Sequence, residues 1–176
     1  MPDRPAPARG LVVGLDPGER TGLAIFDPAA RAEAGSLVAI ETLRPMHVLR
    51  RIYSLAHAGH DGRPVALVCI EDARALPIYA RHGAAGRGER DRIARSVGRV
   101  DGLTSLYAEH VADVGLAVRL VEPVRAPKWD ADELARRTGY TARTSEHGRD
   151  AARLVWLALR APATFAVLPV RRRTAC

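Results

Sequence analysis

Aromatic residues make up only 5% of this 176-residue chain, cysteine occurs twice, and no apolar run approaches the ~20 residues that a membrane span requires. The last shortage excludes a membrane-spanning helix. Cys69 lies inside an apolar run and Cys176 at the final position, without the spacing of a metal knuckle. A disulfide scaffold and a thiolate zinc site are therefore excluded, and a reducing compartment is expected. Negative charge is also scarce, with 20 Asp and Glu against 27 Lys and Arg, for a formal charge of +7. That balance suits a polyanionic partner, because side chains that neutralise phosphates release counterions. A general compositional taste for Arg and Ala would raise the isoelectric point equally well. The opening MPDRPAPARG carries proline and charge but no apolar segment, unlike a secretory leader, so residues 1–10 are expected to form a disordered tail on a cytoplasmic protein.

What is present is patterned for one well-cored domain, expected over residues 11–162, with a basic tail over 163–176. Residues 11–16 and 21–27 predict two strands joined by a DPGER turn, and GSLVAIET at 35–42 predicts a third. Residues 46–58 space Met46, Leu49, Ile52, Tyr53 and Ala56 along one helical face, closed by Gly59. VALVCIED then reads as a buried strand with Glu71 at its exit, and a helix followed by such a strand implies a crossover to a parallel neighbour. Residues 75–91 hold three glycines and several arginines with no apolar period, and predict a mobile basic loop. A helix over 92–113, a strand in LAVRLVEP, a short helix within RAPKWDADELARRTGY and a last helix in SEHGRDAARLVWLALRA, capped by Ser145, complete the chain. Three strands followed by alternating helix and strand predict a mixed sheet covered by helices.

Acids stand where this arrangement would bring them together. Asp16 ends the first strand and Glu71 the fourth; if the two strands are neighbours, their exits lie about 4.8 Å apart. The last helix offers Asp150, three residues after His147 on one face, with Glu146 a further candidate. Each has a plainer reading alone: a D-P-G turn, a strand ending in solvent, an acid favoured early in a helix by its dipole, a surface histidine.

Taken in this order, the segments resemble the RuvC family of Holliday junction resolvases, within the ribonuclease-H-like and retroviral integrase superfamily. GLDPGERTGLAIFD resembles the family's first motif and VALVCIEDA its second. The segment from Ser96 to Trp129, with Gly98, Gly102 and Lys128, is similar to the helix, strand and basic turn that follow. HGRDAARLVWLAL resembles the last motif, in which Asp or His precedes D-A by three positions. The stretch WDADELARRTGYTARTSE departs from the housekeeping enzymes and leaves room for a phage-type or divergent member.

The resemblance implies an α/β, ribonuclease-H-like fold: a mixed five-stranded sheet, built from a three-stranded antiparallel meander plus parallel strands, flanked by helices. It implies that Asp16, Glu71, His147 and Asp150 are catalytic and hold two Mg²⁺ ions, with Mn²⁺ as a substitute. It further implies a homodimer acting on four-way DNA junctions in recombination and repair, alongside branch-migration or recombination proteins. The 92–113 helix offers a dimer contact, although its apolar face would serve equally as core. The resemblance puts residues that probe the junction centre in the basic loop, where Leu76, Ile78 and Tyr79 are candidates to wedge between bases and Arg74, Arg81 and Arg87 to hold phosphates, an unstructured basic loop with no wedge being the equal alternative; Arg125 and Lys128 are the phosphate-binding candidates outside it. Rival readings are a ribonuclease-H-like nuclease for other branched DNA or RNA-containing substrates, and a non-catalytic nucleic-acid-binding module. An actin-like ATPase needs two domains clasping a nucleotide, and the length supplies one.

Overall fold

The computed structural model describes residues 10–30, 37–75, 87–123, 127–160 and 167–168. β1 (Leu11–Asp16) and β2 (Thr21–Phe26) form the expected hairpin, with Val12 opposite Phe26 and Asp16 opposite Gly22. β3 (Leu37–Leu43) pairs antiparallel with β2 and completes the meander. The chain then crosses through α1 (Pro45–Ala58) to β4 (Val65–Glu71), parallel to β1, and through α2 (Arg87–Asp113) to β5 (Val118–Val121), parallel to β4. α3 (Ala131–Thr138) and α4 (Glu146–Arg160) follow. All five predicted strands are present. A two-residue β6 (Val167–Leu168) adds to the edge antiparallel to β5, giving the order β3-β2-β1-β4-β5-β6. That short strand lies in the stretch expected as a basic tail.

Period-two alternation sorts the strands' side chains onto two faces. Leu11, Val13, Leu15, Leu23, Ile25, Val68 and Ile70 pack beneath α1 and α2, against Val48, Ile52, Leu55, Tyr107 and Val111. Val12, Ala24, Phe26 and Cys69 face the other way, toward Ala151, Ala152, Leu154 and Val155 of α4. Asp16 is in step with Val12, and Glu71 with Cys69. Both acids therefore belong to the α4 face. Burial pushes the Cys69 thiol up to about 11, which leaves it an apolar filler rather than a nucleophile.

Two helices depart from the expectation. α1 buries Val48, Ile52 and Leu55, whereas Met46 and Tyr53 of the expected face are 61% and 55% exposed. Positions 48, 52 and 55 follow the i, i+4, i+7 stripe closely, and the branched side chains won the core over the flexible and the aromatic one. α2 begins at Arg87, five residues before the expected start, so the last part of the predicted loop is helical. Its first turns carry no apolar period because they meet solvent: Gly88, Asp91, Arg92, Ala94, Arg95 and Ser96 are exposed. Arg87, Glu89, Arg90, Arg92, Ala94 and Arg95 are good intrinsic helix formers, which offsets Gly88 and Asp91 and holds the segment without a buried stripe. Tyr79, Arg81 and Arg125, with Leu76 and Ile78, lie outside the described residues, as do Cys176 and most of both expected tails.

Candidate active site

β1 and β4 run side by side with Leu15 opposite Ile70, so the next residues, Asp16 and Glu71, leave the sheet together. α4 crosses this edge at very short range. A Cβ on Gly22 would stand 1.9 Å from the His147 carbonyl oxygen, and one on Gly14 would stand 2.6 Å from that of Ala151. Only glycine admits the helix at either place. Ser145 caps α4 by accepting from the Gly148 N–H at 3.0 Å, and its hydroxyl meets Thr42 of β3 at 2.5 Å. The first turn of α4 is thus fixed over the strand ends, where it delivers His147 and Asp150.

The resulting cluster is acidic and partly dry. Asp16 Oδ2 lies 3.1 Å from His147 Nδ1. Burial raises the Asp16 pKa, opposed by the His147 hydrogen bond. Glu71 is pushed up to about 7, chiefly by burial and then by the charges of Asp16 and Asp150. Asp150 is 7% exposed; its Oδ2 receives Lys128 Nζ at 3.0 Å, while its Oδ1 is buried without a hydrogen-bond partner among the described residues. Lys128 also donates to Glu146, and these two carboxylates raise the lysine's pKa while Lys128 lowers that of Glu146.

The segment bearing Lys128 is tied to α4 by Arg149 Nε, which donates to the Trp129 carbonyl at 2.9 Å, and by Arg153 Nη1, which donates to that of Pro127 at 2.8 Å. On the opposite face, the Tyr107 hydroxyl meets Thr21 Oγ1 at 2.9 Å, and Thr21 Oγ1 donates to the Gly18 carbonyl at 3.0 Å, bracing the turn after Asp16. Sequence reasoning missed these supports. Gly14 was the available signal, since a glycine inside an apolar strand marks a close backbone approach.

Of the four expected residues, Asp16 and His147 touch, Glu71 and Asp150 are coupled to their neighbours through charge, and Lys128 joins as the carboxylate partner of Asp150. Glu146 sits on Lys128 rather than on Asp16. Arg74 grips Asp72 through Nε at 2.6 Å and Nη2 at 2.9 Å, and reaches Ser105. The side chain of Arg87 is outside the description. Among the described residues, no three His, Cys, Asp or Glu side chains form a ready-made metal cage. Lys128 and His147 draw the carboxylates toward two separate partners. The donor chemistry nevertheless fits a hard divalent cation: the oxygens are carboxylate, one of them is buried and unpaired, and their mutual repulsion asks for positive charge.

Two solved structures of Thermus thermophilus RuvC superpose on this chain with TM-scores of 0.53 and 0.56, at 20% and 21% identity, covering 90% of this chain and 99% of theirs. The fold is RuvC-like. In one of those structures RuvC is in complex with a Holliday junction substrate. No family model and no curated protein matches the chain. The RuvC-like sheet accounts for the shared edge from which Asp16 and Glu71 emerge. No helix among the described residues is long and apolar enough to cross a membrane.

Proposed function

We propose that this protein is a metal-dependent, structure-selective endodeoxyribonuclease that resolves four-way DNA junctions, leaving 5′-phosphate and 3′-hydroxyl ends. The observation that carries the reading is the meeting of Asp16, Glu71 and Asp150 at one edge of a RuvC-like sheet, coupled closely enough for two of them to raise the pKa of the third. Asp16, Glu71 and Asp150 would hold Mg²⁺ or Mn²⁺, two ions per site, with His147 beside Asp16. The chemistry that ions held there would supply is activation of a water and neutralisation of charge on the leaving 3′ oxygen. His147, hydrogen-bonded to Asp16 through Nδ1, would either join in holding an ion or orient the attacking water. Lys128, at the rim with its side chain 62% exposed, binds a strand phosphate, and Arg125 assists. Such contacts position the strand without reading sequence.

A homodimer would cut two strands symmetrically, and the exposed first half of α2 offers a surface for it: a Cβ on Gly98 or Gly102 would meet open space. The setting is cytoplasmic recombination and repair, with branch-migration proteins as partners. Junction-centre contacts fall to Tyr79, Arg81 and Arg87, with a smaller part for Arg74, whose guanidinium is held by Asp72.

The test is a labelled four-way junction incubated with Mg²⁺ or Mn²⁺, beside linear duplex and RNA–DNA hybrid, with Asp16→Asn as the control. Paired symmetric nicks that vanish in the variant support the reading. Cleavage of the hybrid alone transfers the activity to the ribonuclease-H-like alternative. Binding by both proteins without cutting leaves a nucleic-acid-binding module.

A further inference from the structure

Lys128 is the single lysine of the sequence; every other one of its 27 Lys and Arg residues is arginine. An ammonium is a compact, strongly hydrated point charge on a flexible stem, closer in kind to a hard metal ion than the planar guanidinium fork is. Its place in the fold is that of a counter-ion. Nζ lies 3.0 Å from Asp150 Oδ2 and also donates to Glu146, one turn earlier on α4. Its charge further favours the ionised forms of Asp16 and Glu71. Asp150 is 7% exposed and the Lys128 side chain 62%, so the buried carboxylate takes its charge partner from the solvent side. The backbone on both sides of the lysine is pinned to the same helix: Arg153 Nη1 donates to the Pro127 carbonyl and Arg149 Nε to that of Trp129. Only the stem of Lys128 is left to move.

We propose that Lys128 is the resident cation of the acidic site: it holds Asp150 until a divalent cation is bound there, and then swings away on its stem, into reach of a strand phosphate. The inference rests on the metal-dependent reading, because the exchange requires Asp150 to be a ligand of the ion. A carboxylate as buried as Asp150 is unfavourable without a positive partner, and Lys128 is that partner in the structure. Two cations at one carboxylate oxygen repel each other, so ammonium and divalent ion compete for Asp150 Oδ2. Glu146 supplies the tether. It pairs with the same ammonium from the exposed end of α4 and keeps the lysine at the rim once Asp150 is released. Lys128 thereby sets how tightly the site takes its ion, and it becomes available to DNA only in a loaded site.

A single lysine makes the exchange readable in the full chain. Acetylation of Lys128 by a water-soluble acylating reagent is followed by mass spectrometry without DNA, in EDTA and in Mg²⁺ at equal ionic strength, with the α-amino group as internal reference. Mn²⁺ binding is measured by electron paramagnetic resonance for wild type, Lys128→Met, which keeps an unbranched stem without the charge, and Lys128→Arg, with folding checked by circular dichroism. Lys128 should acetylate several-fold faster in Mg²⁺. Mn²⁺ should bind at least about fivefold more tightly to Lys128→Met and no more tightly to Lys128→Arg. Acetylation that ignores Mg²⁺, wild-type Mn²⁺ affinity in folded Lys128→Met, or an equal gain in Lys128→Arg would overturn the exchange and leave metal-dependent cleavage untouched. The wild-type labelling decides the matter even if the methionine variant fails to fold. Wild-type protein that takes up no Mn²⁺ would overturn the exchange and the metal-dependent reading together.

Discussion

The two faces of the sheet are covered by helices in opposite ways. Beneath α1 and α2, the contact is made by Leu, Ile, Val and Tyr side chains, which remove large apolar areas from water. Beneath α4, Val12 and Phe26 also meet Leu154 and Val155, but where the start of the helix crosses β1 and β2 the contact is made by Gly14 and Gly22 against backbone, with Ala151 and Ala152 beside them. Large side chains hold helices off a sheet, whereas glycines let one descend onto it. Both faces bury apolar side chains, and at Gly14 and Gly22 the second gives up part of that area for a helix placed where His147 reaches Asp16.

The sharpest test of that division is Gly22→Ala. Its Cβ meets the His147 carbonyl, a backbone atom that cannot swing aside, so the first turn of α4 must rise. Stability should fall by about 1–3 kcal/mol, and junction cleavage by about 10²-fold through misplacement of His147 and Asp150. A variant that cuts at the wild-type rate would break the comparison. On the other face, Ile52→Ala should cost about 2–5 kcal/mol in denaturant unfolding. Cleavage per folded molecule should persist, because Ile52 packs in the core under α1 and α2, across the sheet from the acidic edge.

A smaller effect separates the faces by pH. The folded pKa of Glu71, about 7, lies above its ordinary 4.5. Between those values the folded protein keeps a proton that the unfolded chain has released. The contribution to stability is therefore full below pH 4.5, falls as pH rises through about 7, and is level above. Glu71→Gln should stabilise the protein in EDTA by about 1–2 kcal/mol at about pH 8, allowing for partial exposure, and leave it unchanged at about pH 4. Thermal melts at both values check the sign. Mg²⁺ binding near neutral pH should release a proton, read as a binding heat that varies with the ionisation enthalpy of the buffer. The smallest effect belongs to Tyr107→Phe, which removes the hydroxyl that braces the turn after Asp16 through Thr21. It should cost about 1 kcal/mol, with a modest loss of cleavage.

Much of this was legible because alternation in a strand is rigid. Given LVVGLD and VALVCIE as strands, Asp16 must share a face with Val12 and Glu71 with Cys69, whatever packs there. Ser145 was readable as a cap because a helix start needs a local acceptor; that it also anchors α4 to β3 through Thr42 was not. Less was readable in helices, where several stripes compete. Met46 and Tyr53 satisfied the period of α1 as well as Val48 and Leu55 did, and only the shape of the sheet beneath chose between them. The charged start of α2 offered no stripe at all.

The sequence by itself determined the succession of strands and helices, the parity of the acids and the excess of positive charge, since each depends on neighbours in the chain or on a simple sum. Tertiary structure alone decided that α4 lands on the face of Asp16 and Glu71, that Lys128 pairs with Asp150, and that two tryptophans 27 residues apart meet edge to face. Those facts depend on contacts between distant segments, and such contacts exist only once the glycines of β1 and β2 have let the last helix down onto the sheet.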